Sequence, residues 1–170
     1  LEGIVKNFNS ELGKGKGIPL GNLTSQIFAN IYMNELDQFI KHKLNIKYYL
    51  RYADDFVILS ENRNYLGGLI IKISNFLESN LKLSLHENKV IIGKYTRGID
   101  FLGYVVLPYV ILPRTKTKKR MFRKLREKIN LPDFNQSLQS YLGYLSHANS
   151  HHLTKEVKEY RLAQQKLAIK

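Results

Sequence analysis

Two adjacent carboxylates, Asp54 and Asp55, separate two short segments with the composition of β-strands. Residues 47–52 are rich in tyrosine and residues 56–59 are wholly apolar, so the pattern predicts a β-hairpin with both carboxylates at its tip. A strand as apolar as 56–59 is expected to be buried on both faces, which would hold the turn rigidly. This hairpin constrains the fold more than any other feature, because two like charges held this close repel each other unless a cation lies between them and their partners.

The chemistry of the predicted turn favours a hard metal ion. Carboxylate oxygens without nitrogen or sulfur ligands select Mg²⁺ or Mn²⁺. Two such ions about 4 Å apart can activate a hydroxyl group and stabilise a leaving phosphate. Aspartate is also a common turn residue, so the dipeptide on its own is typical of a solvated turn. The strands predicted on both sides of it are what favour a metal site.

Hydrophobic periodicity predicts the remaining elements. A helix is expected from the possible N-caps Asn22 or Thr24 to about Leu44, and a second helix over 64–80. A short strand is expected over 90–92, a second hairpin over 101–112 with Pro108 near its tip, and three helices over 116–129, 134–147 and 152–168. These elements indicate an α+β fold with a domain boundary near Pro113, which divides the chain into 1–113 and 114–170.

The excess of basic residues is concentrated in the last third of the chain. Residues 1–113 hold 13 Lys or Arg and 10 Asp or Glu, whereas residues 114–170 hold 14 and 4. On a helix, one broad face can carry six basic residues, Lys116, Lys119, Arg120, Arg123, Lys124 and Lys128, whereas Met121, Phe122, Leu125 and Ile129 point elsewhere. Such a basic face is typical of phosphate binding without sequence readout. A solvated helix face and a helix lying on a membrane are the alternatives.

Several classes of protein are excluded by composition. The 170-residue chain has no cysteine, which excludes a disulfide framework, a thiolate metal site and a cysteine nucleophile. No secretory signal is present, and no apolar run approaches the roughly 18 residues that a membrane span needs. These features predict a cytoplasmic protein without a membrane partner. The first residue is Leu1 rather than Met, so a piece of a longer protein is expected.

Five segments, in order along the chain, resemble the motifs of reverse transcriptases. Tyr52-Ala53-Asp54-Asp55 resembles the YxDD signature of this family. Residues 17–26 are similar to its second palm motif, 83–89 to its fourth, 101–104 to its fifth, the primer grip, and 140–148 to the thumb of the bacterial branch related to group II introns. The resemblance implies the end of a right-hand palm (1–113), built from antiparallel hairpins packed on helices, followed by a basic helical thumb (114–170).

The resemblance also implies roles for individual residues. Asp54 would bind the catalytic metals directly, Asp55 would support the same site, and Lys89 would neutralise or protonate the departing pyrophosphate. Tyr52 and Ala53 would lie under the primer end. The incoming nucleotide and the template would contact Leu20, Gly21, Ser25 and Gln26. The primer grip would be formed by Phe101, Leu102 and Gly103. The template–primer duplex would contact Arg114, Lys116, Lys119, Arg120, Arg123 and Lys124. An ordinary surface lysine at 89 and plain strand packing at 101–103 are the alternatives.

The second palm motif departs from the common family pattern. Leu20-Gly21 stands where most members have Gln-Gly, and Ser25-Gln26 stands where most have Ser-Pro. This variant resembles the reverse transcriptases of diversity-generating retroelements, which copy RNA with errors. An apolar side chain at Leu20 cannot hydrogen-bond the incoming nucleotide, so an error-prone, retroelement-associated enzyme is predicted.

The first palm motif, which supplies another catalytic carboxylate in this family, has no match. Residues 1–16 contain only Glu2 and Glu11 as acids, outside any apolar strand pattern, and the fingers are expected to lie outside these 170 residues. Asp37, Asp100 and Asp133 are interpreted as a helix surface residue, a strand edge residue and a helix N-cap. We therefore expect this chain alone to be inactive as a polymerase without the missing palm and fingers segment.

The resemblance implies an RNA-directed DNA polymerase, a nucleotidyltransferase that extends a DNA primer on an RNA template with deoxynucleotides and Mg²⁺ or Mn²⁺. Whether an accessory protein of a retroelement also takes part is left open. The alternative is a non-catalytic, maturase-like RNA-binding protein whose palm is only a scaffold. Intact Asp54 and Asp55 favour the enzyme, and the unmatched first motif favours the RNA-binding protein.

Overall fold

The computed structural model describes residues 23–168, and side chains up to residue 160. In chain order, the helices and strands of this part are α1 (Leu23–Gln38), β1 (Tyr49–Tyr52), β2 (Asp55–Ile58), α2 (Arg63–Phe76), β3 (Ile99–Phe101), β4 (Tyr104–Val106), β5 (Ile111–Pro113), α3 (Thr115–Lys128), α4 (Phe134–Ser146) and α5 (His151–Ala168). The predicted α+β class is confirmed. The chain forms two compact units that divide between Ile92 and Gly93, here called the first and second units.

Helices α1 and α2 of the first unit each end in a π-helical turn. The turn Phe39–Lys43 extends α1, so the helix predicted to end near residue 44 is confirmed. Helix α2 starts at Asn62, whose side chain accepts a hydrogen bond from the Tyr65 N–H at 3.0 Å, as N-cap residues do. The turn Leu77–Leu81 extends this helix, which confirms the helix predicted over 64–80.

The core of the first unit lies between these helices and the first hairpin. Its buried residues recur at helical spacing along α1 and α2, which is why these segments fold as amphipathic helices. The buried side chains are Met33, Leu36, Ile40, Ile46, Leu69, Ile73, Leu77 and Leu81. The rings of Phe39 and Phe76 stack beside this core with centroids 4.0 Å apart.

The hairpin of β1 and β2 presents one face to the core and the other to solvent. The antiparallel register pairs Tyr49 with Ile58 and Tyr52 with Asp55. Burial of β2 on both faces was predicted, and this is wrong: its residues are half-buried or exposed. In the described part of the chain this sheet has two strands only, so the packing of the core covers just one face.

Two strand predictions need correction. No strand forms over 90–92. A 3₁₀ turn, Glu87–Lys89, leads into irregular chain in which Ile91 is 82% exposed, because no partner strand within the described residues pairs with it. The hairpin predicted over 101–112 is a three-stranded antiparallel sheet in the order β3-β4-β5. Pro108 lies in the loop between β4 and β5, as predicted.

The three predicted helices of the second unit are confirmed as α3, α4 and α5. They surround a core of Met121, Leu125, Phe134, Leu138, Leu145 and Val157. Pro132 lies between α3 and α4, where its ring would disrupt a continuing helix. None of the helices within residues 23–168 combines the length and the apolar composition that a membrane span requires.

The sheet of the second unit packs with the helices that follow it. Asp100 of β3 forms an ion pair with Arg114, immediately before α3. The Ile111 N–H donates to the side chain of Asn149 at 3.0 Å, after α4. These contacts explain why the compact units divide at Gly93, about 20 residues before the boundary expected near Pro113. The assignment of 1–113 to a palm and 114–170 to a thumb stays a prediction.

Candidate functional site

The two adjacent carboxylates occupy different positions in the first hairpin. Asp54 lies in the two-residue turn with Ala53, whereas Asp55 is the first residue of β2, opposite Tyr52. Both side chains are exposed. Ala53 has a φ of 53°, in the left-handed region that L-residues other than glycine rarely adopt. The turn that carries Asp54 therefore places Ala53 in a conformation that alanine does not favour.

Strand alternation separates Asp55 from the packed side of the hairpin. Neighbouring residues of a strand point to opposite faces, so Asp55 shares a face with Tyr52 and Leu50. Tyr52 is 62% exposed and Leu50 is 60% exposed. Tyr49 and Arg51 lie on the other face, toward α1. The carboxylate of Asp55 is thus accessible to a ligand from solvent.

Arg51 joins the turn to helix α1. Its Nε and Nη2 donate to Oδ1 and Oδ2 of Asp37 at 2.8 and 2.6 Å, which is the bidentate pairing that strengthens an ion pair. Its Nη1 donates to the backbone oxygen of Ala53 at 2.7 Å and to Oδ1 of Asn30 at 3.1 Å. The guanidinium is therefore held by α1 and in turn holds the peptide next to Asp54.

Asp37 has a different role from the surface position expected for it. Its side chain is 27% exposed, that of Arg51 is 11% exposed, and the Tyr49 hydroxyl donates to Oδ1 of Asp37 at 2.6 Å. One signal was present in the sequence: Arg51 lies among aromatic and apolar strand residues, where a charge needs a partner. The partner lies 14 residues away along the chain, beyond the reach of local patterns.

The environment shifts three pKa values in this cluster, and that of Arg51 is raised by its hydrogen bonds to Asp37. The hydrogen bond from Arg51 lowers the pKa of Asp37, against the opposing effect of burial. Burial raises the pKa of Tyr49, and the hydrogen bond to the Asp37 carboxylate acts in the same direction. At neutral pH the cluster therefore contains a carboxylate, a guanidinium and a neutral phenol, and each hydrogen bond has a proper donor and acceptor.

The donors at the turn fit Mg²⁺ chemistry in kind. Asp54 and Asp55 offer only carboxylate oxygens, and Mg²⁺ is commonly held by one or two carboxylates together with water and substrate phosphates. Among the side chains of residues 23–160, no group of three or more His, Cys, Asp or Glu lies close enough to hold a metal ion. The described residues thus offer two oxygen-bearing side chains rather than a complete cage.

The turn between β3 and β4 contains the residues predicted as the primer grip. Leu102 has a φ of 52° and Gly103 a φ of 86°, the two positive values that a type I′ turn requires. The backbone oxygen of Gly103 accepts hydrogen bonds from the Tyr144 hydroxyl at 2.6 Å and from the Arg114 N–H at 3.0 Å. Phe101 pairs with Tyr104, whose ring stacks on that of Tyr144 at 4.6 Å. Helix α4 therefore positions this turn.

Of the other predicted nucleotide contacts, the structure describes Ser25, Gln26 and Lys89. Leu20 and Gly21 lie outside the described residues. Ser25 is buried and Gln26 exposed in the first turn of α1. Lys89 is exposed in the 3₁₀ turn, and no hydrogen bond or ion pair joins its side chain to Asp54 or Asp55. The roles expected for these residues stay predictions.

Helix α3 is amphipathic, as predicted, with Met121 and Leu125 fully buried. Its exposed basic side chains include Lys116, Lys119, Arg120, Arg123 and Lys124. Arg123 lies 3.7 Å from Glu127, an exposed pair of little strength.

Two cations near the ends of α3 have acidic partners. Arg114 is paired with Asp100, and Lys128 with Asp133. Asp133 was expected to cap α4 with its side chain. It occupies the N-cap position, but its carboxylate makes no capping hydrogen bond. The hydrogen bond from Lys128 instead engages that carboxylate and lowers its pKa.

Comparison with known proteins gives two findings. Residues 4–106, more than half of the chain, match the family described as reverse transcriptase (RNA-dependent DNA polymerase). The chain is also similar to the protein of Saccharomyces cerevisiae named for intron 2 of COX1/OXI3, with 24% identity over 177 aligned residues. That alignment covers 72% of this chain and 20% of the yeast protein, so the chain spans about a fifth of the length of this relative.

Proposed function

Because the chain belongs to the reverse transcriptase family, we propose that it supplies the metal-binding turn, the primer grip and a duplex-binding helix to an RNA-directed DNA polymerase. The observation that carries this proposal is the pair of exposed carboxylates on a turn braced by Arg51, inside the matched range. The substrates would be an RNA template, a DNA primer and deoxynucleotides.

The proposed reaction joins a deoxynucleotide to the primer 3′-hydroxyl. The hydroxyl oxygen bonds to the α-phosphorus, the bond to the bridging oxygen breaks, and pyrophosphate leaves. Mg²⁺ or Mn²⁺, when bound, supplies the charge that favours loss of the hydroxyl proton and stabilises the leaving group. Asp54 would hold the metal directly, and Asp55 would support it from the start of β2. The exposed Lys89 would offset charge on the pyrophosphate.

The exposed cations of α3 would bind the duplex through its phosphates. Each phosphate contact releases condensed counterions, so the logarithm of the binding constant falls linearly with the logarithm of salt concentration. Five contacts, one for each exposed Lys or Arg named above, would give a slope between about −4 and −5. Such contacts provide affinity without base recognition.

We test the duplex-binding role with Arg120→Ala, since this side chain is exposed on α3. The slope of the salt dependence should become less steep by about 1, measured by fluorescence anisotropy with an RNA–DNA duplex. Lys72→Ala on α2 is the matched control, because it removes one exposed charge from the first unit. Equal effects of the two variants would contradict a dedicated role for α3.

Primer extension tests the proposed polymerase function. We expect the 170-residue chain alone to bind duplex without extending it, in keeping with the unmatched first carboxylate motif. The same segment joined to the coding sequence upstream of Leu1 should extend a primer with Mg²⁺, and Asp54→Ala should abolish extension. Glu35→Ala, an exposed acid on α1, is the control. Extension that survives Asp54→Ala would overturn the proposed role of the turn.

The similarity to an intron protein supports a second candidate function. A non-catalytic, maturase-like RNA-binding protein would use α3 for RNA and the palm as a scaffold. In that case Asp54→Ala would change neither RNA affinity nor any extension above background. The extension assay and the anisotropy assay together separate the two functions.

The error-prone character predicted from Leu20 is part of the same proposal. In an active enzyme, Leu20→Gln adds a polar group that can orient the incoming nucleotide. Misincorporation opposite template adenine should then fall. Unchanged misincorporation would contradict a link between Leu20 and fidelity.

A further inference from the structure

We propose that Arg51 is a positioning residue, which fixes the Ala53–Asp54 turn so that Asp54 is placed for metal binding. The proposal rests on the proposed function for the role of Asp54, and on contacts of the described residues for the role of Arg51. Arg51 itself contacts no reacting atom. Its Nη1 donates to the Ala53 backbone oxygen at 2.7 Å, two residues along the chain, which is the peptide group that leads into Asp54.

The turn needs external support because of its backbone. Ala53 has a φ of 53°, and alanine pays a steric cost there that glycine would not. A two-residue turn with no glycine is therefore expected to sample other conformations unless its peptide groups are held. A hydrogen bond from a charged donor is shorter and stronger than one from a neutral donor, so the guanidinium is well suited to hold it.

The geometry requires arginine specifically. The planar guanidinium uses two nitrogens for the Asp37 carboxylate and still directs Nη1 at Ala53 and Asn30. A lysine ammonium has no such fork and cannot keep these three directions together. Lysine at this position would keep the charge but lose the simultaneous contacts.

The support is anchored in the core. Asp37 lies on α1 directly after Leu36, which is fully buried, and the Tyr49 hydroxyl fixes the same carboxylate at 2.6 Å. The line of contacts runs from the buried face of α1 through Asp37 and Arg51 to the Ala53 carbonyl. Displacing any member of this line would loosen the turn while the buried core stays intact.

The test measures turn order, metal binding and stability in Arg51→Lys, with Arg63→Lys as the control. Arg63 is exposed at the start of α2, so the same substitution there leaves the turn untouched. Backbone ¹⁵N relaxation of Ala53 and Asp54 reports order, and Mn²⁺ titration, followed by paramagnetic broadening of the Asp54 amide, reports affinity. In Arg51→Lys we expect lower order and Mn²⁺ affinity reduced about tenfold, as for outer ligands of metal sites, with circular dichroism retained.

A second variant keeps the proposal open to refutation if Arg51→Lys does not fold. Asp37→Asn leaves Arg51 in place but removes its charged partner, and should loosen the turn in the same direction by less. Unchanged order of Ala53 and Asp54 in a folded variant overturns the role of Arg51. A different result is that Mn²⁺ does not broaden the Asp54 amide in the unsubstituted chain, although the order of the turn falls in the variants. This result would count against the proposed metal function, while the support of the turn by Arg51 would still be established.

Discussion

The turn Ala53–Asp54 of the first unit and the turn Leu102–Gly103 of the second unit share an unfavourable backbone conformation but are held by different contacts. Each joins antiparallel strands with two residues, and each begins with a non-glycine residue in the left-handed region, at φ values of 53° and 52°. The second position differs, because Gly103 has a φ of 86° whereas Asp54 has no positive φ. Glycine at the second position favours the turn Leu102–Gly103, whereas the turn Ala53–Asp54 has an aspartate at that position.

The contacts that hold the two turns differ in charge. Arg51, paired with Asp37, holds the Ala53 carbonyl, whereas the phenol of Tyr144 and the backbone N–H of Arg114 hold the Gly103 carbonyl. A charged support is strong when half-buried, but it depends on the ionisation of its partner. A neutral support with a stacked ring depends on packing instead. The order of the first turn should therefore depend on pH, and that of the second turn on the volume of the Tyr144 side chain.

The largest expected effect is that of Tyr144→Ala. This change removes the stacking on Tyr104 and the hydrogen bond to Gly103, and should destabilise the second unit by about 2–3 kcal/mol. Tyr144→Phe keeps the ring and should lose about 1 kcal/mol. Denaturant unfolding followed by tyrosine fluorescence measures both. Equal losses would show that the hydroxyl, rather than the ring, supports this turn.

Gly103→Ala tests whether the second turn depends on glycine. The new Cβ would meet nothing closer than 3.7 Å, so the cost arises from φ alone and should be about 1–2 kcal/mol. Gly143→Ala on α4 is the matched control, because its Cβ meets nothing within 4 Å and alanine favours helix there by up to about 1 kcal/mol. The two substitutions should therefore have opposite signs in urea unfolding.

Acid should loosen the first turn more than the second, where the phenol of Tyr144 holds Gly103 and the Asp100–Arg114 ion pair lies only beside the turn. The pKa of Asp37 is lowered by Arg51, so its contribution to stability is present above its unfolded pKa near 4 and is lost as pH falls through the lower folded value. The loss should be on the order of 1 kcal/mol. Backbone ¹⁵N relaxation of Ala53 and Gly103, recorded from pH 6 to pH 2 in the unsubstituted chain and in Asp37→Asn, makes the comparison. Equal loosening of Ala53 by acid in the two chains would contradict the assignment of a charged support to this turn.

The smallest expected effect is that of Ala53→Gly. Relief of the left-handed strain, partly offset by the flexibility of glycine, should stabilise the first unit by about 0.5 kcal/mol. In the Arg51→Lys background the gain should be larger, because the turn then lacks its support. A double-mutant cycle measures this coupling, and strict additivity would show that Arg51 does not restrain Ala53.

Local patterns predict much of this fold. Helical spacing of apolar residues identified α1 to α5, and the residues around Asp54 identified the first hairpin, because these signals lie within a few residues of each other. The ordered motifs identified the family, which the match to residues 4–106 confirms.

Features that depend on distant partners were missed. The strand expected over 90–92 does not form, and the hairpin predicted to begin at Phe101 missed the turn at 102–103, which separates β3 from β4. Asp37 looks like a surface residue until Arg51 is placed beside it. Burial of β2 depends on how many strands flank it, which composition cannot report.

The unpacked face of the first hairpin bears on how the chain behaves at high concentration. Leu50 and Tyr52 are 60% and 62% exposed there, and within residues 23–168 the sheet consists of β1 and β2 without a third strand. Such an open edge is a template for pairing with another copy and for aggregation. A net charge of +13 keeps copies apart by mutual repulsion. High salt or a polyanion should screen this repulsion. The salt concentration of the buffer should therefore determine whether the isolated chain stays monomeric.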